Sequence, residues 1–241
     1  GRKKTHDNIR KTSGGKGTYD IVINNAKKFR AQRGDKDYYI RGTYTAENLD
    51  FCGDVLALAE CGFDQISIEP VVLDNSNPLA IKKEHLPQIF SQYEELATEY
   101  IKRRRSGRWF NFFHFMIDLE NAPCLKKRLS GCGAGGNYLA VAPSGELYPC
   151  HQFVGKKQYL MGNVFEKSVN GKIARIFTNS NLLTKQKCAD CFAKYFCSGG
   201  CAAHNINFGG GIDAPNDIYC EIMKKRFECA LYIYAAEKAA D

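Results

Sequence analysis

Four cysteines crowd into fourteen positions. Two residues separate Cys188 from Cys191, five separate Cys191 from Cys197, and three separate Cys197 from Cys201. Upstream, Cys132 is followed by twelve residues, Gly145, four more residues and Cys150, and Cys124 precedes Cys132 by eight positions. Cys220 lies downstream. A metal or cluster needs several thiolates gathered in one place. Short spacings supply two ligands from one turn, and long spacings return others from elsewhere. Ser198-Gly199-Gly200, between Cys197 and Cys201, lets the backbone approach and turn amide N–H groups toward sulfur. Such bonds tune the potential of an iron–sulfur cluster. Zinc ribbons instead favour two C-x2-C pairs about 15–20 residues apart. The compact, asymmetric run here is more like cluster-binding runs than zinc knuckles. Structural zinc, disulfides and free thiols are the alternatives. No C-x-x-C-H occurs, so c-type haem attachment is not indicated.

Composition narrows the classes. The 241 residues include 34 Lys+Arg, 26 Asp+Glu and 11 Cys, with a net charge of +8. A hydrophobic share of 44% and a charged share of 25% are those of a globular protein, which excludes collagenous, low-complexity and disordered readings. No apolar run approaches the ~20 residues of a spanning helix. The opening Gly1-Arg2-Lys3-Lys4-Thr5-His6 has no apolar signal region, so a cytoplasmic location and no membrane partner are expected. An odd cysteine count without a signal argues against a secreted disulfide scaffold. The densest basic run, Lys102-Arg103-Arg104-Arg105, reads as a solvated helix end that complements the helix dipole, so no nucleic-acid partner is expected. The chain starts at Gly1 rather than Met, which is read as the start of a piece of a longer protein.

The elements that would position the cysteines fall into two halves. Residues 1–118 hold only Cys52 and Cys61, and both read as small packing residues beside a helix. Tyr19–Arg33, Asn48–Cys61 and Glu84–Arg105 show helical spacing. Tyr38–Thr45, Ile66–Val71 and Phe110–Ile117 read as strands. Strand alternating with helix implies parallel pairing with right-handed crossovers, and three strands are too few for a complete α/β domain. Residues 119–241 are turn-rich. A hairpin is expected from Tyr138–Ala142 and Glu146–Tyr148 around Pro143-Ser144-Gly145, then helices at Gly171–Thr178 and Tyr219–Ala240. Ser13-Gly14-Gly15-Lys16-Gly17-Thr18 lacks the phosphate-loop register and does not follow a strand.

The pattern C-x12-G-x4-C, then C-x2-C-x5-C-x3-C, then a late Cys resembles the seven-cysteine signature of SPASM domains, over residues 132–220. These domains close radical S-adenosylmethionine (SAM) peptide maturases. Leu129–Gly136 and Leu147–Gly155 resemble the maturases of six-cysteines-in-forty-five-residues (SCIFF) peptides. Residues 1–118 are similar to the later strands of the partial (β/α)6 barrel of the same enzymes, and Gly1–Asp7 to the segment after a mid-barrel strand. The resemblance implies an α/β fold: the C-terminal half of a partial (β/α)6 radical SAM barrel at 1–118, then a cysteine-rich α+β SPASM domain at 119–241.

It also implies two auxiliary [4Fe-4S] clusters. Cys188, Cys191, Cys197 and Cys220 would hold the distal one. Cys132, Cys150 and Cys201 would hold the one nearer the substrate, with Cys124 as its fourth ligand or its fourth iron left open. Cys229 reads as packing. The family's C-x3-C-x2-C triplet is absent from the sequence, so SAM and a third [4Fe-4S] cluster are expected in a missing N-terminal half. By resemblance, Arg41 would contact the SAM carboxylate, where a bidentate pair is apt. His151, next to a cluster cysteine, would accept a proton. His204 reads as a neighbour of the ligands or as exposed, and His6, His85 and His114 carry no signal. The implied activity is thioether formation between a Cys sulfur and a carbon of another residue. The implied substrate is a ribosomally made Cys-rich precursor peptide, with a small electron donor such as ferredoxin or flavodoxin. A non-catalytic electron-transfer or peptide-binding module and a SPASM enzyme oxidising Ser or Cys are the alternatives.

Overall fold

The computed structural model describes residues 1–120 and 124–239. The chain divides into two compact units, Gly1–Ile117 together with the chain from Lys225 onward, and Asp118–Lys224. The stretch from Lys225 therefore groups with the first unit, not with the rest of 119–241.

The first unit contains α1 (Lys3–Ile9), α2 (Tyr19–Arg33), β1 (Ile40–Tyr44), α3 (Phe51–Glu60), β2 (Gln65–Pro70), α4 (Leu86–Arg105) and β3 (Asn111–Phe112). The three strands form one parallel sheet in the order β1-β2-β3. Parallel strands need crossover helices, and α3 and α4 supply them. Central β2 is buried on both faces: Ile66 and Ile68 on one, Ser67 on the other. Gly42 sits opposite Ile68, and a Cβ there would stand 3.2 Å from the Ile68 side chain, so β1 carries no side chain where Ile68 needs the room.

Helix α4 buries Leu86, Ile89, Tyr93, Leu96, Ala97, Tyr100 and Ile101, a stripe at spacings of 3 and 4, while Lys102–Arg105 end it on the solvent side. Fully burying each such side chain is worth roughly 1.5–3 kcal/mol. The helix begins at Leu86 rather than Glu84. Pro87 suits its first turn, and Lys83–His85 form a separate tight turn. α3 begins at Phe51 rather than Asn48. The Asn48 side chain is engaged locally, where its Oδ1 accepts from the Thr45 N–H (2.8 Å) and hydroxyl (2.9 Å). The expected strand Phe110–Ile117 pairs only over Asn111–Phe112. The chain then turns at Phe113–Phe115 and buries His114 and Phe115.

Polar groups are also buried here. Glu69 Oε2 accepts from the Arg226 guanidinium at 3.0 Å, and Glu69 Oε1 lies 3.1 Å from His114 Nε2. Arg226 Nε donates to the Tyr93 hydroxyl at 2.7 Å. Burial would raise the Glu69 carboxyl, but Arg226 and His114 outweigh it and hold it well below the usual carboxylate range. Burial, reinforced by Arg226, lowers His114 to about 4 against the pull of Glu69. His114 is therefore neutral at pH 7, and its contact with Glu69 is a hydrogen bond rather than an ion pair.

The second unit has little regular structure. Its strands β4 (Ala140–Val141), β5 (Glu146–Tyr148), β6 (Gly162–Asn163) and β7 (Ser168–Val169) form an antiparallel meander. Its helices are α5 (Leu125–Ser130), α6 (Gly171–Asn179), α7 (Lys194–Cys197), α8 (Ala202–His204) and the start of α9 (Asp217–Lys238). The expected hairpin forms, but only Ala140 and Val141 of its first arm pair. Gly145 turns it at a φ of +85°, and a Cβ there would stand 2.6 Å from Phe165 and 2.8 Å from Asn163 Oδ1. The motif glycine is thus required both by its left-handed backbone and by space. The core beneath comprises Ala134, Ala142, Tyr148, Cys150, Phe153, Phe177 and Ala203, with Cys201 packed against it. Among the described residues, no helix is long and apolar enough to cross a membrane.

Candidate metal centre

Irregular turns present the seven signature cysteines. Cys132 follows α5 and is exposed. Cys150 is buried at the end of the hairpin, and Cys201 is half-buried just before α8. Cys188 is buried, Cys191 and Cys197 flank a turn over buried Ala193, and Cys220 lies in the first turns of α9. The backbone locks the short spacing: Cys188 N–H donates to Lys185 O at 2.8 Å, and Cys191 N–H to Cys188 O at 3.2 Å.

The electrostatics sort these thiols into two neighbourhoods. Burial raises Cys150, the Gln152 N–H eases it, and Cys201 and Cys132 push it further up. Burial raises Cys197 to about 11; the N–H groups of Gly200 and Gly199 pull against this, while Cys188 and Cys191 push with it. Burial raises Cys220 to about 12, with Cys197 and Cys188 next in size. Burial also raises Cys188, opposed by Lys185 and reinforced by Cys191. Cys201 and Cys132 therefore lie within the field of Cys150, Cys188 and Cys191 within that of Cys197, and Cys197 and Cys188 within that of Cys220. Among the described residues, no three His, Cys, Asp or Glu side chains converge at the geometry of a single bound ion. None of the cysteines forms a disulfide among the described residues.

Thiols that resist ionising, here chiefly through burial and secondarily through one another, are relieved by a cationic centre, since the thiolate is the ligand. The donor set therefore fits a sulfur-ligated metal group. A second observation agrees. Ser198, Gly199 and Gly200 run consecutively through left-handed backbone (φ of +60°, +81° and +80°), which turns the Gly199 and Gly200 amides onto Cys197 sulfur. Asn205, 1% exposed, ties this loop by donating to Gly199 O (3.2 Å) and Ile212 O (3.0 Å). Cys52 and Cys229 give the contrast. Burial takes both to about 12, but their electrostatic partners are carboxylates, Arg103 and Lys225. No cysteine is among the leading groups acting on either.

The remaining sequence candidates are less engaged. Cys124 is exposed at the start of α5 and is not among the groups acting on Cys150. His151 is exposed, with Nε2 3.3 Å from Gln152 Nε2. Arg41 is exposed on β1, pairs in register with Ser67, and lines a cavity of ≈ 460 Å³ with Gly42, Thr43, Asn48 and Ile68. His204 is buried, edge-on to Tyr219 and Phe208. Sequence reasoning missed Asn205 and Lys185. Neither has a motif signal beyond its nearness to Cys201 or Cys188.

Residues 132–192 match the SPASM family, described as an iron–sulfur cluster-binding domain. The chain is similar to the mycofactocin maturase MftC of Mycolicibacterium smegmatis, 26% identical over 217 residues, covering 84% of this chain and 51% of that protein. It is also similar to a cysteine-type anaerobic sulfatase-maturating enzyme of Clostridium novyi, 23% identical, covering 95% of this chain and 62% of that one. The chain thus spans about half to three-fifths of the length of these curated relatives. Among solved structures, native anSMEcpe with bound AdoMet and the Cp18Cys peptide superposes with a TM-score of 0.71 at 16% identity, covering 100% of this chain and 68% of that one. The His6-tagged form with AdoMet gives 0.70 at 17% identity, covering 99% and 64%. The expected architecture is found: the chain has the α/β fold of the radical SAM/SPASM sulfatase-maturating enzymes, and its cysteine-rich unit carries the match to an iron–sulfur cluster-binding domain.

Proposed function

We propose that these residues serve a radical SAM peptide maturase that joins a cysteine sulfur to a carbon of another residue in a ribosomally made, Cys-rich peptide. The observation that carries this reading is the separation of the signature thiols into two neighbourhoods inside a SPASM-matched unit. The sequence holds no C-x3-C-x2-C triplet, so the ligands of a SAM-cleaving cluster are not drawn from these 241 residues. Two auxiliary [4Fe-4S] clusters, when bound, would supply one-electron redox capacity beside the substrate.

The chain's own residues would do the rest. Cys188, Cys191, Cys197 and Cys220 would hold the distal cluster, and Cys132, Cys150 and Cys201 the near one. Gly199 and Gly200 would donate N–H groups that stabilise the Cys197 thiolate. Arg41, on the rim of the cavity in the first unit, would bind the SAM carboxylate through its guanidinium fork. His151 would take a proton at its imidazole as the peptide thiol is consumed. The peptide would lose two hydrogens as one C–S bond forms, a two-electron oxidation balanced by conversion of SAM to methionine and 5′-deoxyadenosine with release of one proton; a small electron donor such as a ferredoxin or flavodoxin would supply the electron that starts each cleavage.

A second reading, oxidation of a Ser or Cys side chain to an aldehyde, is favoured by the similarity to sulfatase-maturating enzymes. One assay separates them. A polypeptide that also bears a C-x3-C-x2-C cluster is given SAM, reductant and a Cys-rich peptide, and the product is read by mass spectrometry. The thioether reading expects 5′-deoxyadenosine together with a peptide that has lost two hydrogens and one alkylatable thiol. An aldehyde that reacts with hydrazide would favour the second reading. No 5′-deoxyadenosine would contradict both.

A further inference from the structure

The net charge of the chain is not spread along it. Residues 125–201 hold 11 Lys+Arg against three Asp+Glu, so the whole +8 resides there and the remaining residues are balanced. That stretch lies entirely within the second unit. Charge concentrated in this way steers oppositely charged partners toward one part of a molecule.

Part of this charge gathers on one face. Helix α5 packs against α7 and against the tight turn Leu182–Thr184. On and beside these elements, Leu125, Leu183, Phe192 and Tyr195 are between 46% and 76% exposed. Helix α5 adds exposed Lys126 and Lys127 and half-buried Arg128, and it carries no acidic residue. Among the described residues, none of these three cations forms an ion pair. The run at the end of α4 is the contrast: Lys102 pairs with Glu99, Arg103 with Glu60 and Arg104 with Glu237. On α7, Lys194 Nζ lies 5.4 Å from the Tyr195 ring centroid. Asp190 is the one acidic residue between Leu182 and Ser198. Exposed apolar and aromatic side chains beside unneutralised cations have the composition of a docking surface. The same elements present the distal cysteines, because α7 ends at Cys197 and the Leu182–Thr184 turn packs against the turn Gln186–Cys188.

We propose that this face docks a small acidic one-electron carrier protein of the ferredoxin or flavodoxin class. One electron passes from the reduced carrier, which is oxidised, to the group held by Cys188, Cys191, Cys197 and Cys220, which is reduced, and no bond is made or broken. The inference rests on the assignment of those cysteines to a cluster. Charge complementarity selects an acidic partner, and continuity with the cysteine turns selects a redox one. Redox encounters are weak and small in area, which suits a face of a few side chains.

The test is titration calorimetry of the anaerobically reconstituted chain with a purified acidic flavodoxin, with iron and sulfide measured on each sample. Binding should weaken about tenfold between about 50 and about 200 mM salt. Reduced flavodoxin should bleach the visible band of the chain. Lys126→Glu with Lys127→Glu should keep its iron, weaken binding about tenfold and slow the bleaching at limiting flavodoxin by the same factor. Leu183→Asp should weaken binding about fivefold. Lys27→Glu with Lys28→Glu, the same charge change on exposed α2 of the first unit, should leave it unchanged. Equal weakening by the two charge reversals, no weakening by either, or binding without bleaching would overturn the proposal. If the α5 double variant loses iron, Leu183→Asp decides, and unchanged affinity there overturns it. A dimer of the chain broken by the α5 reversals, or a Cys-rich peptide bound on this face in place of flavodoxin, would overturn it too. Absence of iron from the wild-type chain would instead contradict the cluster assignment, so the two failures are distinguishable.

Discussion

The two units are closed by different chemistry. In the first, Phe51 stacks on Tyr44 with centroids 4.4 Å apart and meets Tyr93 at a tilt with centroids 4.7 Å apart, and α4 buries a long apolar stripe. In the second, four strands of two or three residues and helices of a few residues surround a small core that includes Cys150 and packs against Cys201. A unit with long apolar elements can hold itself together by burial. A unit built from turns has fewer such elements per residue. Cys150 sits in its core, and burial, reinforced by neighbouring thiols, holds Cys197 and Cys220 against ionising, a cost that a bound cation would relieve. Metal binding and folding are therefore expected to be coupled in the second unit and independent in the first.

The largest effect should come from striking the second unit at a ligand. Cys197→Ala should remove about half of the iron and collapse hydrogen-exchange protection across the chain around residues 132–220. Protection in β1, β2 and α4 should stay intact. Loss of protection in both units alike would break the comparison.

The converse strike is Leu96→Ala in α4, at a fully buried position. It should cost the first unit about 2–5 kcal/mol in a denaturation measurement while iron content stays unchanged.

A third, smaller effect is a pH dependence confined to the first unit. The folded His114 value, about 4, lies below the ordinary 6.5. The unfolded chain therefore binds more protons between those values, and stability must fall as pH drops through that window. Glu69, held below its usual range, extends the loss below the ordinary carboxylate range of about 4.3. The His114 contribution is on the order of 3 kcal/mol. His114→Gln should remove the slope between about pH 6.5 and 4, and a slope that persists in that variant would remove His114 as its source.

The smallest effect sharpens the contrast between like residues. Cys229, buried in α9 within the first unit, is raised chiefly by burial, and the leading groups acting on it are the charged side chains Lys225, Glu228 and Glu94. Cys229→Ala should cost about 1 kcal/mol and no iron. Any iron loss would mean that the two units do not use cysteine differently.

Much of this division is visible in the sequence, for reasons that differ by residue. The helix over Tyr19–Arg33 follows from local period and forms where expected, and the strand expected over Tyr38–Thr45 from its aromatic and β-branched residues forms over Ile40–Tyr44. The grouping of Cys188, Cys191 and Cys197 follows from short spacing. The inclusion of Cys220 and the pairing of Cys150 with Cys132 and Cys201 follow only from a family resemblance. The shortened third strand is not legible, because past Phe112 the chain turns and buries His114 beside Glu69 of neighbouring β2, a contact between residues far apart in sequence. Lys185 was not legible either. A lysine three residues before a cysteine looks like solvated surface until Gly199 is seen to leave room for it. The tertiary placement of polar groups is what local pattern does not carry.

The most direct test of the account is anaerobic determination of iron, acid-labile sulfide and zinc in the reconstituted chain, with its visible spectrum. The account predicts about eight iron and eight sulfide per chain and a broad charge-transfer band near roughly 400 nm. One or two zinc ions with a featureless visible spectrum would contradict it.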